Sequence, residues 1–124
     1  MGVVNVTPDS FSDGGRNLAT AAARRTVDRM AAEGAAIVDI GAESTRPGAE
    51  RVPPAEQLAR LRPLLDDLAA RPPAVALSID TTSAAVAAAA LDAGAVLVND
   101  VSAGREDPGL LPLVAARGAA VCLM

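Results

Sequence analysis

At 124 residues, 51% hydrophobic and 21% charged, the chain is sized for one globular unit rather than several domains. Its formal net charge of −4, with no clustered basic residues, argues against nucleic acids and anionic membrane surfaces as partners. Histidine, tryptophan and tyrosine are absent and Phe11 is the one aromatic residue, so the core must be aliphatic. Any chemistry must then rest on carboxylates, amides, hydroxyls, arginine or a bound metal. Cys122 stands alone in an apolar segment, which fits a small buried hydrophobe in a reducing cytoplasm. No stretch approaches a membrane span and the N-terminus lacks the pattern of a signal peptide, so the cytoplasm is expected.

In chain order, residues 2–6 form a short apolar strand running into a loop over 7–15, where Pro8, Asp9, Ser10, Asp13 and the Gly14-Gly15 pair disfavour regular structure. A helix is predicted over about 17–33, stopped by Gly34, then a strand over 36–40. Pro53-Pro54 opens a second helix over about 55–70, apolar at Leu58, Leu61, Leu64, Leu65 and Leu68, which Pro63 should kink or split. A third strand over 74–79 ends at Asp80, and Ser83 is the expected N-cap of a helix over 84–93 stopped by Gly94. The fourth strand, 95–98, ends at Asn99-Asp100. A short helix over about 109–117 is stopped by Gly118, and 119–124 reads as a fifth strand.

Between the second strand and second helix lies Asp39-Ile-Gly-Ala-Glu-Ser-Thr-Arg-Pro-Gly48, the densest polar turn in the chain. An arginine beside a hydroxyl at a strand's carboxyl end suits a multi-oxygen anion such as phosphate, because the guanidinium offers a bidentate fork. A solvated turn set by Pro47-Gly48 fits the decapeptide equally well.

Alternating strands and helices with short connections imply right-handed βαβ units and a parallel sheet. Polar residues close each strand: Asn5, Asp39 with its turn, Asp80, and Asn99-Asp100. Decorating every strand's carboxyl end is the habit of the (β/α)8 barrel. A doubly wound sheet gathers function at one switch point, often with a glycine-rich phosphate loop that is missing here. The expected fold is α/β, a partial (β/α)8 TIM barrel of about five parallel strands and four helices, with residues 1–124 forming the N-terminal part of one domain.

Four segments carry a family resemblance: GVVNVTPDSFSDGG at 2–15, DIGAESTRPG at 39–48, SIDT at 78–81 and NDVS at 99–102. In this order and spacing they resemble the N-terminal signature segments of the dihydropteroate synthases. These pterin-binding TIM barrels join p-aminobenzoate to 6-hydroxymethyl-7,8-dihydropterin diphosphate in folate biosynthesis. The resemblance implies Asn5 as a Mg2+ ligand and Thr45 and Arg46 as the loop residues for the diphosphate-bearing substrate. It implies Asp80 and Asn99 as pterin-binding residues, and a lid in which Asp9, Phe11, Ser12 and Asp13 close with Pro47 over the aminobenzoate. Arg46, Asp13 and Asp80 would be the catalytic residues. A buried Asp80 would favour a cationic pterin, and the carboxylates of Asp39 and Glu43 would orient Arg46. A homodimer is implied for the full-length protein.

Against the family pattern, Ala42 stands where a glycine is usual, tolerable if its φ is negative. The chain starts within the first strand and lacks strands six to eight. It therefore reads as a fragment that makes no dihydropteroate alone. A methyltetrahydrofolate-dependent corrinoid methyltransferase would share the strand-end Asp and Asn but has no need of the TPDSFSDGG and STRPG segments. A non-catalytic half-barrel that pairs with a second copy is the third reading.

Overall fold

The computed structural model describes residues 1–6, 13–42 and 52–124, without the side chains at 13, 14, 16 and 17. Strands and helices alternate: β1 Gly2–Asn5, α1 Asp13–Ala32, β2 Ile37–Gly41, α2 Pro54–Ala70, β3 Ala76–Asp80, α3 Ala84–Asp92, β4 Leu97–Asp100, α4 Leu110–Ala116 and β5 Ala120–Leu123. The five strands form one parallel sheet in the order of the chain, β1-β2-β3-β4-β5. Such an order needs every crossover on the same side, which is how a barrel wall is wound.

Period-two alternation divides each strand between two faces. Val4, Val38, Ile40, Leu77, Ile79 and Val98 are buried against the helices, which supply Val27, Leu61, Leu64, Leu65, Leu68, Val86, Leu110 and Val114. The hydrophobic core is therefore a layer between sheet and helices. The opposite parity carries Asn5, Asp39, Ser78, Asp80 and Asn99 on the inner face.

Three helices end alike. Gly34, Gly94 and Gly118 take φ of 91°, 101° and 61°, and the following residue donates back five positions: Ala35 to Met30 at 2.9 Å, Ala95 to Ala90 at 2.9 Å, Ala119 to Val114 at 3.1 Å. A side chain at these glycines would meet nothing within 4 Å, so only the left-handed backbone demands glycine. Each cap turns the chain directly into the next strand.

Elsewhere the fold departs from the sequence reading. α1 begins at Asp13, where a loop to residue 15 was expected. α2 runs as one helix with Pro63 inside it. Burying four leucines at roughly 1.5–3 kcal/mol each outweighs the roughly 3 kcal/mol that an interior proline costs. Ser83 occupies the N-cap position of α3 but its side chain caps nothing. Asp107 does this from a distance, accepting the Ala84 N–H at 2.7 Å through Oδ2 and the Gly109 N–H at 2.9 Å through Oδ1. Cys122, expected to be buried, is exposed on β5, the edge strand of the described sheet.

The β4–α4 connection is built on Asp100, which is fully buried. Its carboxylate accepts the N–H groups of Ser102 at 2.7 Å and Gly104 at 2.6 Å, and its carbonyl accepts those of Ala103 at 3.3 Å and Met124 at 3.1 Å. This turn forces Ala103 to φ 56°, the one positive φ at a non-glycine position among the described residues; Ala42 therefore meets the condition set for it. Outside the sheet, Arg24 of α1 pairs with Asp28 and with Asp67 of α2, each at 3.0 Å, and Asp67 also pairs with Arg71. The hydrogen bond from Arg71, partly opposed by desolvation and helped by Arg24, holds the Asp67 carboxyl below its ordinary range.

Two predictions rest on this geometry. Ala103→Gly relieves a left-handed alanine that costs roughly 1–2 kcal/mol, against roughly 0.5–1 kcal/mol of added chain entropy. A gain of about 0.5 kcal/mol is expected, read as a higher urea midpoint at unchanged slope. Asp67 is more acidic folded than unfolded, so its contribution is complete above its unfolded pKa of about 4 and is lost as pH falls through the lower folded value. Asp67→Asn should lower the thermal midpoint at pH 7 and show a shallower fall than wild type between pH 5 and pH 3.

Candidate pterin site at the strand ends

One register row crosses the whole sheet at the carboxyl ends of its strands. Asn5 pairs with Gly41, Gly41 with Asp80, Asp80 with Asn99, and Asn99 with Cys122. Neighbouring parallel strands lie about 4.8 Å apart, so Asp80 and Asn99 are direct neighbours and Asn5 is about 10 Å from Asp80 across the bare backbone of Gly41. Asn5 is exposed, while Asp80 and Asn99 are half-buried. The expectation of a buried Asp80 thus fails. Asp80 itself is partly exposed, whereas Leu77 and Ile79 on the helix side and Ser78 deeper on the inner face are sealed.

A second row lies two residues upstream on the same face, running Val3, Asp39, Ser78, Leu97 and Ala120. It forms the floor beneath the first, with Asp39 3% and Ser78 1% exposed. The Asn99 amide reaches over β3 and donates from Nδ2 to Asp39 Oδ2 at 3.1 Å. Strands two apart would be about 9.6 Å apart in a flat sheet, so the curved inner face is what lets these side chains meet.

The whole chain, residues 1–124, matches the family model described as "Pterin binding enzyme". The chain belongs to the pterin-binding enzyme family. It is 56% identical over 124 residues to the dihydropteroate synthase of Mycobacterium leprae, covering all of this chain and 43% of that relative. Among solved structures, the dihydropteroate synthase of Xanthomonas albilineans with 4-aminobenzoic acid superposes with TM-score 0.83 at 50% identity, covering 98% of this chain and 44% of that one. The enzyme from Anaplasma phagocytophilum with bound 6-hydroxymethylpterin-monophosphate gives TM-score 0.86 at 39% identity, over 97% and 46%. The chain thus spans less than half the length of these relatives, and its fold is that of the corresponding part of their barrels.

Of the expected site residues, the sheet brings together Asn5, Asp80 and Asn99. Asp13 starts α1, its side chain outside the described residues, and Phe11, Ser12, Thr45, Arg46 and Pro47 also lie outside them, as do Asp9 and Glu43. Among the described residues Asp39 is tied to Asn99, and the expectation that it orients Arg46 falls on a residue outside them. Among the described residues no group of three or more His, Cys, Asp or Glu could hold a metal ion, and no helix is long and apolar enough to cross a membrane.

Sequence reasoning missed the supports of this face. Arg60 of α2 donates to the Ala42 carbonyl at 3.0 Å and pairs with Glu56, fixing the point where the chain leaves β2. Gln57, buried on the same helix, donates to the Val52 carbonyl at 2.8 Å just before α2. It also faces Thr81, whose hydroxyl accepts the Ser83 N–H at 3.1 Å. The 55–64 stretch did carry a signal, since Gln57, Leu61 and Leu64 share one helical face.

Proposed function

We propose that this chain is the N-terminal part of a dihydropteroate synthase. The complete protein condenses 6-hydroxymethyl-7,8-dihydropterin diphosphate with p-aminobenzoate, giving 7,8-dihydropteroate and pyrophosphate. The observation that carries this reading is the strand-end row, which sets the carboxylate of Asp80 beside the amide of Asn99 above a buried polar floor. A pterin presents several ring and exocyclic N–H groups, and a carboxylate with an amide oxygen supplies matching acceptors on a rigid sheet. The relatives solved with 4-aminobenzoic acid and with a hydroxymethylpterin phosphate support the two substrate classes. The TPDSFSDGG and STRPG segments favour this reaction over methyl transfer to a corrinoid.

In the reaction the methylene C–O bond breaks and its electron pair leaves with pyrophosphate. The amine nitrogen of p-aminobenzoate then forms the new C–N bond and loses a proton. Asp80, an anion beside the ring, stabilises the positive charge that develops on the pterin as the leaving group departs. Thr45 and Arg46 hold the diphosphate, the guanidinium taking up its growing negative charge. Phe11, Ser12 and Pro47 cover the aminobenzoate and, with Asp13, exclude water that would compete with the amine. Asn5, an exposed neutral oxygen donor at a strand end, suits Mg2+, which keeps much of its water and needs few protein ligands. When bound there, the ion would neutralise charge on the departing diphosphate. The lone cysteine supports a cytoplasmic enzyme, and the family resemblance supports a homodimer.

The complete protein should form dihydropteroate from the two substrates in a coupled assay, and failure to do so would remove this reading. Arg46→Lys keeps the charge but loses the planar fork, so turnover should drop at least about tenfold. Wild-type turnover would take the diphosphate from Arg46. Asn5→Ala should raise the Mg2+ concentration needed for half-maximal rate while circular dichroism stays unchanged. An unaltered metal requirement would leave Asn5 a simple strand-end residue.

A further inference from the structure

We infer that Asp39 is a positioning residue, which fixes the Asn99 amide so that its oxygen faces the substrate; this rests on the pterin reading of the site. The nitrogen end of the Asn99 amide faces the floor, donating from Nδ2 to Asp39 Oδ2 at 3.1 Å, and an amide that presents its nitrogen on one side presents its oxygen on the other. The amide oxygen is then directed away from the floor, on the row where Asp80 is the direct neighbour. A free asparagine at this position samples several rotamers and both ends of its amide. One bond from below removes that freedom and leaves two acceptors side by side for a donor-rich ring.

The energetics favour such a role over a purely structural one. Asp39 is 3% exposed, and its Oδ1 has no hydrogen-bond partner among the described residues. Its register neighbour Ser78, 1% exposed, has an unpartnered hydroxyl by the same measure. A buried carboxylate held by a single amide N–H stabilises a fold poorly, because desolvation is not recovered by one bond. Among the described residues its one side-chain hydrogen bond is to a residue of the row above it. Backbone pairing already sets the register of β2, β3 and β4, so the bond adds side-chain orientation and little else.

The test has two arms. In the complete protein, the side-chain amide signals of Asn99 are followed by 15N–1H NMR. They should shift and exchange faster with solvent in Asp39→Ala but stay in place in Ser78→Ala. Asn99 signals indifferent to Asp39→Ala overturn the inference whatever the enzyme does. In the complete enzyme, Asp39→Ala should lower kcat/KM for the pterin diphosphate about tenfold, the scale of a misplaced contact group, with Asp39→Asn between it and wild type. Combined with Asn99→Ala, it should add no further loss, since Asp39 acts only through Asn99. Independent, multiplying losses overturn the inference, as does unchanged kcat/KM in Asp39→Ala. Should Asp39→Ala not fold, Asp39→Asn, which keeps the shape, decides both arms: a shifted Asn99 amide with reduced kcat/KM supports the inference, and wild-type values in both overturn it. Wild-type protein that makes no dihydropteroate refutes the pterin reading instead, and the NMR arm still decides the Asp39–Asn99 tie.

Discussion

The site depends on parallel strand register. Each pairing fixes its neighbour, and because the side-chain period is two, a slip of one residue in any strand would move its polar residue from the inner face into the aliphatic layer. Asn5, Asp80 and Asn99 share a row because the ladders β1·β2, β2·β3 and β3·β4 are in phase. The layer enforces that phase. Val38, Ile40, Leu77, Ile79 and Val98 are each less than 5% exposed, and a one-residue slip would turn a strand's share of them to the opposite face. Hydrophobic burial on one side of the sheet thus specifies polar geometry on the other.

The connections follow from the same constraint. Each strand must start at a set height, so the helices need defined ends, and the three glycine caps give the chain one repeated exit into β2, β4 and β5. The carboxyl ends are held by less regular means. Asp100 folds the turn after β4 around its carboxylate, Asp107 ties that turn to the start of α3, and Arg60 holds the carbonyl at the end of β2. These contacts link consecutive βα units on the face that carries the site.

The alternation of elements, the parallel sheet and the strand-end polar residues were legible in the sequence because they rest on short-range signals: apolar runs, glycine stops and turn residues. So was the family resemblance, through four short motifs. What stayed hidden were contacts between residues far apart in the chain. Asp39 looked like part of the polar turn that follows it, and nothing local announces a bond to Asn99, 60 positions later. Asp107 capping α3 from 23 positions away, in place of the adjacent Ser83, was hidden for the same reason. Pro63 misled because a local penalty was weighed without the leucines whose burial overrides it. Cys122 misled because an apolar neighbourhood in sequence does not guarantee a covering neighbour in space.

The placement of the aliphatic layer has a bearing on how such a protein changes over time. Asn5, Asp80 and Asn99 stand on the face opposite the one that supplies most of the folding free energy, and none of them is fully buried. Replacing them removes little packing, so variation in this row bears on the site far more than on folding. Asp39 and Ser78, sealed into the floor, bear on both at once.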